Sequence, residues 1–186
     1  MSPSIDWQAL EKNICDTLKE WELKVGYGKE PVELYYPQES LCSLLGVPEK
    51  ETNLLEQSLE LFSKKVQERL GDVQITGSQG RYCIRVPESG SRYVREHVEA
   101  SPFLVRFLEM IHQPGSNMAS VEHLFLEYSK QIVKQPGEDG EMIFFFQDIT
   151  IDEYVYCVEE DEFGLQYHRF TRADYQKLYE GPFELD

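Results

Sequence analysis

Arg81 and Arg85 lie four residues apart in an alternating run, Arg81-Tyr82-Cys83-Ile84-Arg85-Val86, so a strand there carries both guanidinium groups on one face. They belong to a wider basic stretch. Over residues 64–95, Lys64, Lys65, Arg69, Arg81, Arg85, Arg92 and Arg95 oppose only Glu68, Asp72 and Glu88, a balance of 7 − 3 = +4. Exposed arginines of this kind contact either a phosphate backbone or an acidic protein surface. The plainer alternative is an ordinary solvated face balanced by the acidic remainder of the molecule.

The acidic counterpart is residues 138–162, with ten carboxylates and neither Lys nor Arg. Clustered carboxylates suit Ca²⁺ or Mg²⁺, but the D-x-[DN]-x-[DN]-G loop pattern that places their oxygens is absent. Glu159, Glu160, Asp161 and Glu162 read as a solvated hairpin turn. Such a turn protects strand edges, and it can dock a basic partner through long-range attraction that needs no special spacing. No metal or other cofactor is expected.

Catalytic patterns are missing: no G-x-S-x-G elbow, H-E-x-x-H pair, Walker loop or G-x-G-x-x-G turn occurs. Gly77-Ser78-Gln79-Gly80 matches the G-x-x-G of an RNA-binding KH loop, but it falls between strands where that loop requires helices. His97, His112, His123 and His168 are scattered; a His–Glu122 acid/base pair is one reading, but a lone histidine at a helix end is more often structural. Cys15, Cys42, Cys83 and Cys157 sit far apart among apolar neighbours, as buried reduced thiols do. Aromatic residues mostly fall on inward faces, with Tyr35, Tyr36, Tyr154 and Tyr156 as candidate interface residues.

The elements that position these groups follow from periodicity. Trp7, Leu10, Ile14, Leu18 and Trp21 form one face of a helix that Gly26 and Gly28 terminate. Val32–Tyr36 is a strand, and Ser40–Leu45 a short helix. A long helix starts at Pro48, or at an Asn53/Glu56 capping box, and carries Leu55, Leu59, Phe62, Val66 and Leu70 inward. Residues 73–86 form a hairpin closed by Pro87. In the second half, helices begin at Ser101-Pro102 and run along Val121–Ile132. Met142–Phe146 is a buried strand, two further strands flank the acidic turn, and Thr171 with Asp174 caps a short helix ended by Gly181-Pro182.

The expected fold is α+β, in two parts packed as one body. Residues 1–100 follow the helix-strand-helix-helix-hairpin order of a winged helix. Residues 101–186 hold a helix pair, a three-stranded antiparallel sheet and a short helix. In a DNA-binding winged helix the long helix enters the major groove by its N-terminal half. Here residues 48–60 carry Glu49, Glu51, Glu56 and Glu60 against Lys50 alone, a net of −3 that phosphate would repel.

The run Tyr35-Tyr36-Pro37, Ser40-Leu41, Leu44-Leu45-Gly46 and Gly80-Arg81-Tyr82-Cys83-Ile84-Arg85-Val86-Pro87 resembles a family of small acidic bacterial proteins known as a domain of unknown function. The resemblance implies no activity, ligand or catalytic residue. Across 186 residues, 34 Asp+Glu against 18 Lys+Arg give a net charge of −16, which disfavours a polyanion as partner. No apolar run approaches the ~20 residues of a membrane helix and no leader opens the chain, so a cytoplasmic protein is expected. The leading expectation is a non-enzymatic protein-interaction or assembly module, with homo-oligomerisation open to it. The alternatives are a transcriptional regulator gripping DNA phosphates through Arg81, Arg85, Arg92 and Arg95, and a metal-dependent hydrolase.

Overall fold

In the computed structural model, which describes residues 5–179, α1 (Trp7–Val25) begins where the Asp6 carboxylate accepts the Ala9 N–H at 3.0 Å. Leu10, Ile14 and Leu18 of its stripe are buried, but Trp21 is 51% exposed. The expected inward stripe therefore ends early. The last turn runs past the core and leaves Leu23 and Val25 exposed with Trp21.

β1 (Val32–Pro37) leads directly into α2 (Gln38–Leu45), which Gly46 closes in the left-handed region at φ 69°. Only a residue without a Cβ takes that conformation freely. α3 (Thr52–Leu70) starts between the two expected positions, after Pro48 and just ahead of Asn53. The Pro48 carbonyl instead accepts the Glu51 N–H at 2.9 Å, making a turn ahead of the helix, and no side-chain cap forms. Its stripe behaves as expected, with Leu55, Leu59, Phe62, Val66 and Leu70 all buried.

β2 (Gln74–Ser78) and β3 (Arg81–Val86) form the hairpin, and β1 joins its second strand, giving an antiparallel sheet of order β1-β3-β2. The register pairs Leu34 with Ile84 and Tyr36 with Tyr82. The hairpin is followed by a helix that periodicity did not reveal, α4 (Glu88–His97). Arg92 and Arg95, in the segment after the hairpin, are thus helical. α4 docks through its smallest residue: a Cβ on Gly90 would lie 2.5 Å from the Leu70 carbonyl oxygen and 2.5 Å from a Val86 methyl.

The chain divides into two compact units, residues 1–100 and 101–186. In the second, α5 (Pro102–Ile111) starts from Ser101, whose hydroxyl accepts the Leu104 N–H at 3.3 Å. α6 (Met118–Tyr128) opens on a reciprocal Asn117/Ser120 cap. The expected continuation to Ile132 fails, because Ser129 ends the helix and Ile132 starts a strand. The sheet therefore has four strands and not three. They are β4 (Ile132–Pro136), β5 (Met142–Phe146), β6 (Val155–Asp161) and β7 (Gly164–Phe170), each antiparallel to the next.

α7 (Arg172–Tyr179) completes the described residues, with the Thr171 hydroxyl accepting the Asp174 N–H at 3.1 Å. The expected Gly181-Pro182 stop lies outside them. β5 is apolar throughout because both its faces are covered. Phe144 and Phe146 join the aromatic core of α5 and α6, while Ile143 and Phe145 meet Tyr175 of α7. Among the described residues no helix is long and apolar enough to cross a membrane.

Candidate interaction surfaces

Antiparallel register places the side chains of paired residues on the same face of a sheet. Arg85 pairs with Glu33 on one side and Gln74 on the other, Cys83 with Tyr35 and Thr76, and Arg81 with Pro37 and Ser78. These residues form the outer face of the first sheet, whereas Tyr82, Ile84 and Val86 point into the core. Tyr35 is 70% exposed on that face. Its hydroxyl donates to Glu33 Oε2 at 2.8 Å, and this bond to a carboxylate pushes the phenol pKa up to about 12.

The basic stretch is less available than its sum of +4 suggests. Arg69 holds Glu11 of α1 in a bidentate pair, with the Nη2–Oε2 distance 2.8 Å. Lys64 pairs with Glu60 at 2.8 Å, and Lys65 lies 4.5 Å from the centre of the Trp7 ring. Arg92 reaches Glu88 at 3.7 Å, while Arg95 stacks on the Tyr27 ring at 4.0 Å. The Tyr27 hydroxyl donates to Glu88, so one local cluster absorbs both α4 arginines. Only Arg81 and Arg85 of these seven cations lack an ion-pair, hydrogen-bond or ring partner among the described residues.

The inner side of the hairpin borders α3. Between them lies a groove of about 470 Å³, floored by Leu59, Ile75 and Tyr82 and edged by Glu56 and Glu60. Gly77 makes room for the floor, since a Cβ there would come within 2.6 Å of the Tyr82 ring. Gln38 fixes the frame. Its backbone N–H donates to the Gly80 carbonyl at 2.9 Å, and its side-chain amide donates to the Glu49 carbonyl at 3.1 Å. Burial, then the Glu56 charge, raises the Tyr82 pKa, and Lys64 lowers that of Glu60. Among the described residues, no Lys or Arg lines the groove.

The acidic turn is partly committed to its own unit. Glu160 accepts the Met118 N–H at 2.8 Å, where a carboxylate also complements the dipole of α6. Asp161 accepts from the Phe163 N–H at 2.7 Å and the Gln166 amide at 2.8 Å. Glu159 and Glu162 are exposed, and Phe163 at the tip is 86% exposed.

The remaining candidates resolve as structure. His123 pairs with Glu127 at 3.1 Å and Glu122 takes Lys134 at 2.6 Å, so the His–Glu122 pair does not form. Tyr154 and Tyr156 are core residues, and Tyr36 bonds to Asn13 at 2.9 Å. Cys15, Cys42 and Cys157 are buried and Cys83 is half-buried, all as free thiols; burial, followed by the nearby Glu11 charge, pushes Cys15 up to about 11. No group of three potential metal ligands occurs among the described residues.

Asp152 escaped the sequence reading because it stands in a run of solvated acids. It is buried, accepting the Tyr154 N–H and the Tyr156 hydroxyl, each at 3.0 Å. Burial raises its pKa against those two bonds and the charge of Arg169. The only sequence signal is its place two residues before an alternating aromatic strand.

The family described as "Domain of unknown function, E. rectale Gene description (DUF3877)" matches residues 7–179. The chain belongs to this family. Its description names a bacterium, in keeping with the bacterial family of unknown function that the sequence resembles, and the matched range runs from α1 to α7. No curated protein and no solved structure matches the chain.

Proposed function

We propose that this family member is a non-enzymatic protein-interaction or assembly module of the cytosol, built on a winged-helix-like first unit. The supporting topology is the order α1-β1-α2-α3-β2-β3, with β1 paired to the second strand of the hairpin. The observation that carries the reading is the groove between α3 and the hairpin. A duplex-binding winged helix needs cations there, and among the described residues this groove has Glu56 and Glu60 and no Lys or Arg. Four free thiols suit a reducing compartment. Arg81 and Arg85, flanking Tyr35 on the outer sheet face, are the proposed contact for an acidic group on the partner; Glu159 and Glu162 remain available to a basic one.

One observation favours the transcriptional-regulator reading: Arg81 and Arg85 have no partner among the described residues and could take phosphates. Fluorescence anisotropy of labelled duplex DNA at low salt decides, because phosphate attraction is strongest there. The expected result is no binding by the wild type. Tight binding that falls steeply with salt and disappears in Arg81→Glu/Arg85→Glu would replace the interaction reading with the regulator. The metal-dependent hydrolase gains no support from the described side chains.

A further inference from the structure

We propose that the groove between α3 and the hairpin receives a lysine- or arginine-bearing segment of a partner protein, with apolar side chains of that segment on the Tyr82 floor. This deepens the interaction reading and rests on it. Three features of the groove fit such an occupant. Its floor is apolar, formed by half-buried Ile75 with the edges of the buried Leu59 and Tyr82, so a wholly polar ligand would leave that surface unused. Its edge supplies Glu56, which has no ion-pair partner among the described residues, and Glu60, whose exposed bond to Lys64 already competes with water. Thr52, Ser63 and Ser78 add hydroxyl groups that can accept from an ammonium or guanidinium.

The groove is also framed before anything binds. Gln38 ties the hairpin turn to the start of α2 and to the loop before α3, and the Tyr82 ring rests where Gly77 has no side chain. A preformed site avoids the ordering cost that weakens flexible ones. Charge selects among occupants. A second copy of a chain of net charge −16 is repelled at long range, and an acidic segment is repelled by the groove itself. A basic segment is drawn to both.

The probe is a short fluorescent peptide of alternating lysine and leucine with blocked ends, titrated with the full-length protein at low salt. An alternating glutamate–leucine peptide serves as the control. Because any basic peptide is attracted to an acidic protein, two variants remove equal charge from different places: Glu56→Gln/Glu60→Gln in the groove and Glu159→Gln/Glu162→Gln in the acidic turn. The groove variant is expected to bind about ten-fold more weakly and the turn variant within about two-fold of wild type, from the sum of two rim ion pairs.

Equal weakening by both variants would overturn the proposal, and so would the absence of peptide binding. If the groove double variant does not fold, Glu56→Gln alone gives the same comparison with about a three-fold loss. The duplex titration separates the two failures. Neither peptide nor duplex binding would remove the groove and leave the interaction reading standing, whereas duplex binding would remove both.

Discussion

Gly90 offers a test of how the first unit is held together, because two known effects predict opposite signs. It lies inside α4, where replacing glycine by alanine ordinarily stabilises by about 1 kcal/mol through backbone entropy and helix propensity. Its surroundings forbid that gain. A methyl at this position would sit 2.5 Å from the Leu70 carbonyl oxygen, at the end of α3, and 2.5 Å from a Val86 methyl on β3. The first of these is backbone and cannot swing aside, so α4 must shift away from α3. Overpacking of a fitted contact costs up to about 3 kcal/mol, which leaves a net destabilisation of about 2 kcal/mol for Gly90→Ala. For a unit of this size that is a fall in Tm of about 8–16 °C.

The assay is selective, since both tryptophans, Trp7 and Trp21, lie in α1, and their emission reports the first unit alone. Gly28→Ala is the control. Its Cβ would meet nothing within 4 Å, and the substitution should be neutral or stabilise by up to about 1 kcal/mol. A Gly90→Ala protein that melts at or above the wild type would refute the packing argument and return α4 to a loosely attached surface helix.

Two further predictions address the titratable groups. Burial raises the Asp152 pKa, so the folded state binds its proton more tightly than the unfolded state does. The stability this carboxyl contributes is then fully present below its unfolded value, about 4, and is lost as pH rises through the raised folded value. Urea midpoints followed by tyrosine near-UV circular dichroism should show this decline, and Asp152→Asn should flatten it; an unchanged slope in the variant would assign the decline elsewhere. Thiol labelling at pH 8 read by mass spectrometry should modify half-buried Cys83 first. Cys15, with a pKa of about 11, exposes only about 0.1% thiolate at that pH and is also buried, so equal rates at the two positions would contradict its placement.

What the sequence disclosed and what it hid divide along a physical line. The stripe Leu55, Leu59, Phe62, Val66 and Leu70 was legible because a helix buried on one side must repeat its apolar residues at its own period. The shared face of Arg81 and Arg85 was legible for the same reason at period two. α4 was hidden because it buries only Gly90 and Val94, and a glycine that permits close approach leaves no apolar signature. β4 was hidden because Ile132 continues the spacing of α6, although a cap at Ser129 has already ended that helix. Asp152 differs from its acidic neighbours only in what folds around it.

Charge was the quantity most distorted by reading along the chain. A sum of +4 over residues 64–95 describes a stretch, but a partner meets faces, and some of those charges find their partners far away in sequence: Glu11 stands 58 residues from Arg69, and Tyr27 stands 61 residues from Glu88. Once such pairs are formed, two cations remain on the outer face of the hairpin, while its inner face, through Ile75, Gly77 and Tyr82, borders a groove edged by carboxylates. The hairpin thus separates opposite charges by the thickness of one sheet. A field of that kind has a direction as well as a sign. On the proposed interaction reading, such a field would favour a partner that carries both charges in the matching order and penalise the reversed orientation, where each like-charge meeting is unfavourable. Net charge alone gives the first unit no such selectivity, and a nucleic acid, uniformly negative along its backbone, would satisfy one side of the hairpin only at the expense of the other.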